Sequence, residues 1–275
     1  MEFFEMIVFL ASAYFTVLSL IKWYMHIYKA WPPNRGWASR IALGCLPPAA
    51  FIIITTTLVN YASYDVVESG FYMMFYILFG FAWIYGGQLL VFAVFDLSWQ
   101  DDVLTMNNKA ALFPTIGSYF ALLFIYAGAN IGDGPGWWCV LIAGGMGIVL
   151  WLALGYILSM LTGAFERITV ARDIETGIRV GGYLAGSGII LARASAGDWT
   201  SLTDTFIEFL VGWPVLPLVA VACVVELAYV FAAKSGRKSG PLRLYSSILF
   251  GVLFIVISIL IVALLPPMIE NPMYG

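Results

Sequence analysis

The sequence predicts an all-α fold: a polytopic membrane bundle of about eight transmembrane helices, built from repeated helix hairpins. Three observations carry that prediction. The 275 residues are 62% hydrophobic and only 11% charged, whereas a soluble domain carries about 25% charged residues. Several apolar runs continue for the about 20 helical residues that cross a bilayer, unlike the short alternating strands of a closed barrel. Basic and acidic residues also alternate from one connection to the next.

The expected spans follow in order. Phe3–Tyr28 opens with the acidic "MEFFE" and stays apolar past Ala13 to Ile21. It lacks the basic start and short apolar core of a signal peptide, so it is read as a retained helix. Ser39–Ala62 contains Pro47 and Pro48, and proline removes a backbone donor, so an interruption is expected there. Phe71–Phe95 is apolar apart from Gln88. Ala110–Ile131 places Pro114 in its first turns, where it is tolerated. Trp137–Phe165 is a long apolar run, and Ile174–Ala194 is rich in glycine. Phe206–Ala232 contains Glu226 and a second expected interruption at Pro214 and Pro217. Leu244–Ile269 is the last. The connections are short, and the chain divides into two four-helix membrane units, 1–134 and 135–275.

Retained positive charge marks the cytoplasmic side of a membrane protein. Every Lys and Arg except Arg193 flanks an odd-numbered connection: Lys22, Lys29, Arg35 and Arg40; Lys109; Arg167, Arg172 and Arg179; Lys234, Arg237, Lys238 and Arg243. The opposite side carries Glu2, Glu5, Asp65, Glu68, Asp133, Asp198, Asp204, Glu208 and Glu270. An odd number of spans would mix the two sets. Both termini are therefore expected on the non-cytoplasmic side.

"GIRVGGYLAGSGII", Gly177–Ile190, has five glycines in fourteen residues but lacks the strand context and spacing of a P-loop or dinucleotide fingerprint. On a membrane helix, Gly177, Gly181 and Ala185 recur every four residues, and Gly182 and Gly186 repeat that spacing one position on. Small residues so spaced let a second backbone approach closely, which predicts a packing face. The same segment matches an earlier one. With a shift of 64, Asp102 meets Glu166, Gly117 meets Gly181 and Tyr119 meets Tyr183; after a one-residue gap, Gly132–Asp133 meets Gly197–Asp198. Two hairpins of like orientation are expected.

Polar residues inside spans are the candidate functional groups, because each costs energy unless paired. Glu226 lies eight residues before Lys234, or about 12 Å from the inner end at the helical rise. Gln88 lies at similar depth, eight residues before Asp96. Arg179 enters from the same side and can reach Glu226. The expected arrangement is a buried Glu226–Arg179 pair between the sixth and seventh spans, with Gln88 as an interhelical hydrogen bond. Cys45, Cys139 and Cys223 form no CxxC pair, and His26 is the single histidine. Neither a metal ligand set nor a nucleophile–base constellation is visible, so no cofactor and no enzymatic activity are expected. Trp31, Trp37, Trp99, Trp137, Trp138 and Trp199 fall at span ends and read as interfacial anchors.

The stretch Gln88–Gly134, with "QLLVFA" followed by Asn108-Lys109-Ala110-Ala111 and a small-residue helix, resembles the latter half of the YjfL-type membrane proteins. "SAYF" (Ser12–Phe15), followed by a basic turn, resembles their first helix. The likeness covers residues 1–134 and returns more weakly at 137–198, where "RDIETG" replaces the Asn-x-Ala-Ala pattern. It implies a bacterial inner-membrane protein with an envelope-stress association, and no particular reaction. The function expected is a non-enzymatic scaffold or subunit of a membrane complex, with the bilayer and further membrane subunits or a second copy as partners and no nucleic acid. The alternative is a small-solute or ion transporter centred on Glu226 and Gln88.

Overall fold

The computed structural model describes residues 3–29, 36–235 and 240–268. Glu2, Trp31, Arg35, Arg237, Lys238 and Glu270 lie outside the described residues. Eleven α-helices follow one another among those described: α1 (Phe3–Lys29), α2 (Trp37–Tyr61), α3 (Tyr64–Glu68), α4 (Gly70–Phe95), α5 (Lys109–Ala129), α6 (Trp137–Thr162), α7 (Ala164–Thr169), α8 (Ile174–Ala194), α9 (Leu202–Phe209), α10 (Val215–Lys234) and α11 (Pro241–Leu264). A π-helical turn, Trp99–Thr105, joins α4 to α5, and a 3-10 turn, Leu210–Gly212, joins α9 to α10. The chain is an all-α, multi-pass integral membrane protein.

Among the described residues, seven segments are long and apolar enough to cross a membrane: α1, α2, α4, α5, α6, α9 through α10, and α11. The expected eighth, α8, has the length but falls short in apolarity. The reason is visible in its sequence and surroundings. It carries Glu175, Arg179 and Arg193 together with its glycines, and sixteen of its 21 residues are buried. The least apolar long helix is the one most enclosed by protein, where polar groups can be paired away from lipid. By contrast, α1 and α11 bury few residues and present broad apolar faces outward.

The bundle is built on α5 and α8, which lie side by side and parallel. Their backbones touch near both ends. A methyl added at Gly117 would sit 2.2 Å from the Gly181 carbonyl oxygen, and one at Gly128 would sit 2.1 Å from that of Ala192. On the other helix, Gly177 and Gly181 face Ala110 and Phe113 of α5. Gly182 and Gly186 do not share that partner; they face Gly251 and Phe254 of α11. The glycine-rich stretch therefore serves two packing faces. It is the small residues on both that let α8 sit between its neighbours with no side chain in between.

The connections into α5 and α8 use the same hydrogen bonds. Met106 N–H donates to Asp101 O at 2.8 Å and Ala171 N–H to Glu166 O at 3.3 Å. Asn108 N–H donates to Asp102 O at 2.8 Å and Asp173 N–H to Arg167 O at 2.9 Å. Asn107 and Arg172 both adopt left-handed backbone. These correspondences, like the helix ends themselves, run at a shift of 65. The shift of 64 expected from sequence is thus one residue out through the connection: Asp102 corresponds to Arg167, not Glu166. The Gly and Tyr matches that set the sequence alignment lie inside the helices, whereas backbone turns fix the ends.

Around this pair the packing order recurs. α1 lies against α4 and α2 against α5; α10 lies against α6 and α11 against α8. Three prolines behave differently from expectation. Pro47 and Pro48 lie within α2, which runs unbroken through them, and Pro217 lies within α10. The interruption occurs at the 3-10 turn and Pro214, which precedes α10. Trp137–Phe165 is also shorter than expected, because Gly163 adopts left-handed backbone and ends α6 at Thr162. A proline costs a helix little when neighbours satisfy the freed carbonyl; a left-handed residue ends it.

Candidate functional site

Glu226 and Arg179 meet as their positions suggested. Arg179 Nε lies 2.6 Å from Glu226 Oε1 and Nη2 lies 3.0 Å from Oε2, a two-pronged pairing that matches the guanidinium fork to the carboxylate. The side chains are 1% and 2% exposed. Arg179 comes from α8 and Glu226 from α10, so the pair ties the two helices within the apolar zone.

A second cation joins it. Arg167 Nη2 lies 2.6 Å from Glu226 Oε2, with Arg167 24% exposed. Its Nη1 donates to the Thr162 carbonyl at 2.5 Å, so Arg167 also caps the end of α6. Arg179 makes two further bonds: Nη1 donates to Ser247 Oγ at 2.6 Å and Nη2 to Thr176 Oγ1 at 3.1 Å. Thr176 Oγ1 in turn donates to Asp173 Oδ2 at 2.8 Å, and Asp173 Oδ1 caps the first turn of α8. The Tyr229 ring covers the Arg179 guanidinium at 3.7 Å, a cation–π contact strengthened by desolvation. Arg243, 2.9 Å from Glu175 Oε2, approaches the same ring at 5.3 Å. One carboxylate thus faces two guanidinium groups, and five helices converge on it: α6, α7, α8, α10 and α11.

The sequence suggested the Arg179 partner but not Arg167. The signal was present: Arg167 lies in a short connection beside the Gly163 stop, which folds α7 back under α8. Without that turn, Arg167 reads as a plain interfacial cation.

Gln88 is not part of this cluster. It sits on α4 in the other half, and the structure does not bring it to Glu226. The expected interhelical hydrogen bond is also not formed: Gln88 is 8% exposed, and its Nε2 has no hydrogen-bond partner among the described residues. Gln88 borders a cavity, while its Nε2 is itself enclosed by protein. About 240 Å³ of space lies between α1, α2, α4, α5 and the π-helical turn, bordered by Trp23, Pro47, Gln88, Trp99 and Tyr119. A second cavity of about 210 Å³ adjoins it past Gln88 and Trp99. Trp99 is accordingly more than an interfacial anchor, because it packs on Trp23 with ring centroids 4.1 Å apart. Trp23 Nε1 donates to the Leu43 carbonyl at 3.0 Å and fixes the ring. His26 meets the edge of Trp99 at 5.8 Å.

Cavity and cluster occupy matching places. The cavity lies among α1, α2, α4, the connecting turn and α5; the cluster lies among α10, α11, α6, α7 and α8, which pack in the same order. In one half the space holds charges and hydroxyls, and in the other it is lined mostly by rings and aliphatic groups, with Gln88, Gln100, Ser19 and Lys22 as its polar members.

Asn108, singled out in sequence for its pattern, caps α5 through Oδ1 at 3.0 Å from Ala110 N and donates from Nδ2 to the Ile168 carbonyl at 2.8 Å. It clamps the start of α5 onto α7. Asp173 performs the capping in the second hairpin. Burial raises the Asp102 carboxyl in this connection above the usual carboxylate range, although the Ser98 N–H opposes the shift. At the opposite end, Gly132, Gly197 and the Asp133–Asp198 pair form a tight backbone junction, with Asp133 N–H donating to Asp198 Oδ1 at 2.8 Å. Among the described residues no three His, Cys, Asp or Glu side chains are grouped to hold a metal ion. No family model, curated protein or solved structure matches the chain.

Proposed function

We propose that this protein is a non-enzymatic scaffold or subunit of a membrane complex in the bacterial inner membrane, related to the YjfL-type proteins and built from two copies of one helix hairpin. The observation that carries the reading is the saturation of Glu226. Each of its oxygens faces a guanidinium nitrogen at 2.6 Å, and every Arg179 guanidinium nitrogen is engaged. A carboxylate so held fixes helices and is poorly suited to exchanging ions. Transport centred jointly on Glu226 and Gln88 is disfavoured, because the two lie in different halves.

The scaffold reading expects company. After gentle extraction from its native membrane, the protein should migrate within an assembly larger than its own 30.3 kDa, and cross-linking followed by mass spectrometry should identify the neighbour as a second copy or another membrane subunit. Migration as a monomer with no cross-linked neighbour would reject the proposal. The charge distribution also sets the orientation. With Cys45, Cys139 and Cys223 replaced by Ser, an impermeant thiol reagent applied to intact cells should label Asp133→Cys and spare Lys234→Cys. Labelling of the second position would reverse the assigned orientation.

A further inference from the structure

We propose that the cavity between α1, α4 and the π-helical turn holds an aminophospholipid. Its phosphate lies at Lys22 and Gln100, its primary ammonium at Asp101, and an acyl chain along the deeper wall. The inference is independent of the scaffold reading, because it concerns a lipid and not a protein neighbour. Charge is the first observation. Among the described residues, Lys22 is the one charged side chain lining the cavity of about 240 Å³, and Asp101 the one lining the adjoining cavity of about 210 Å³. Gln100 borders both. Lys22 and Asp101 are exposed and make no salt bridge among the described residues. A lining with one charge of each sign fits a headgroup that carries both. A headgroup that is only anionic meets Lys22 but is repelled by Asp101. A choline head has no N–H to donate to a carboxylate, whereas a primary ammonium has three. Asp101 Oδ2 accepts from Ser98 Oγ at 3.2 Å, which leaves the carboxylate further lone pairs for such a donor.

The second observation is the direction in which polarity changes. Gln100 and Asp101 lie in the turn beyond α4, whereas Phe81 and Ile84 lie 14 and 11 residues before its last residue, Phe95. At the helical rise that is about 21 and 16 Å into the membrane. The lining therefore runs from charged at the interface to apolar at depth, as a lipid does. Ser19 and Gln88 take no part in holding the headgroup: Ser19 Oγ donates to the Thr16 carbonyl at 2.9 Å, and Gln88 Nε2 is enclosed by protein. The third is access. Leu89 and Phe92 on α4 border the cavities and are 54% and 51% exposed on the outer, lipid-facing surface, so a lipid enters sideways from its own leaflet. The fourth is the other half of the bundle. There the matching place is closed by the protein's own Glu226 and Arg179, held on Tyr229; here the walls carry no such ion pair, and the space stays open.

The test uses the full chain in detergent, titrated with phosphatidylethanolamine, phosphatidylglycerol or phosphatidylcholine of the same acyl chains. Bound lipid is counted by native mass spectrometry. Phosphatidylethanolamine should bind about fivefold more tightly than either of the others, the share of one charged contact at a headgroup. Lys22→Gln should weaken its binding by a similar factor. Asp101→Asn, which can still accept the Ser98 bond, should remove the preference for phosphatidylethanolamine over phosphatidylglycerol. Leu89→Trp places bulk at the exposed mouth and should weaken all three lipids. Lys234→Gln, a charge change on the same side but outside the lining, should alter none. A photoreactive group on the acyl chain then locates the lipid, and its cross-links should fall on α4 between Phe81 and Leu89 or on α1 near Leu20. Equal binding of the three lipids overturns the proposal. So does a preference unchanged in both Lys22→Gln and Asp101→Asn, and so do cross-links spread over the outward faces of α1 and α11.

Discussion

Arg179→Ala should destabilise the protein by about 3–5 kcal/mol, the cost of breaking a buried ion pair from one side. The substitution removes both contacts to Glu226 and the bond to Ser247, and it uncovers the Tyr229 ring. It leaves a carboxylate 2% exposed with Arg167 as its remaining cation. Glu226→Ala should rank close to it, because a guanidinium 1% exposed is then left without its carboxylate. Glu226→Gln should be milder, since the amide keeps hydrogen bonds to the fork. Arg167→Ala should cost least of the four, because Arg167 is 24% exposed and water can replace part of what it gives. Thermal unfolding in detergent, followed by retention of the monodisperse peak on size exclusion, measures the order. Arg179→Ala as stable as the parent would show that the cluster does not hold the helices. Folded Glu226→Gln with lost activity in the membrane would replace the structural role with a functional one.

Gly117→Leu and the paired change Gly181→Leu with Gly182→Leu should prevent the bundle from closing. Even a methyl at Gly117 would meet a backbone oxygen at 2.2 Å, and backbone cannot swing away as a side chain can. Overpacking a tight core costs about 1–3 kcal/mol when neighbours can adjust; here two helices must part, so the loss should exceed that range. Gly181 and Gly182 face different helices, α5 and α11, so the paired change strikes both sides of α8. Gly145 provides the control: no atom lies within 4 Å of an added methyl, and Gly145→Ala should be neutral or stabilising by up to about 1 kcal/mol through helix propensity. The yield of folded protein and the unfolding midpoint check the series. Equal yields of Gly117→Leu and Gly145→Ala would mean that the α5–α8 contact is not tight.

What was readable in sequence was what composition and periodicity determine. Apolar length located the spans, and glycine spacing identified α8 as a packing helix. The depth of Glu226 and the reach of Arg179 were enough to pair them. What escaped depended on backbone geometry or on empty space. Gly163 taking left-handed backbone, and so presenting Arg167, is decided by the turn and not by the residue type, since other glycines in the chain remain helical. Pro47 and Pro48 were expected to break a helix that neighbours hold together. Gln88 was expected to pair, but a cavity is the difference between side-chain volumes on five elements, and no local pattern encodes that difference. The capping role of Asn108 was similarly hidden, because its second partner lies on α7, 60 residues away.

The enclosure of α8 has a consequence for how the protein is made. A helix leaving the ribosome is exchanged with lipid according to its own apolarity, and charged residues at its centre oppose that exchange. α8 carries its charge and its glycines into a place whose walls come partly from α5, synthesised earlier, and partly from α10 and α11, synthesised later. Its insertion therefore has to wait on neighbours, and the chain acquires an order of assembly: α5 provides the first surface, Glu226 on α10 neutralises Arg179, and α11 closes the far side. Truncation before α10 would deprive α8 of its counter-charge while leaving every apolar span that precedes it intact.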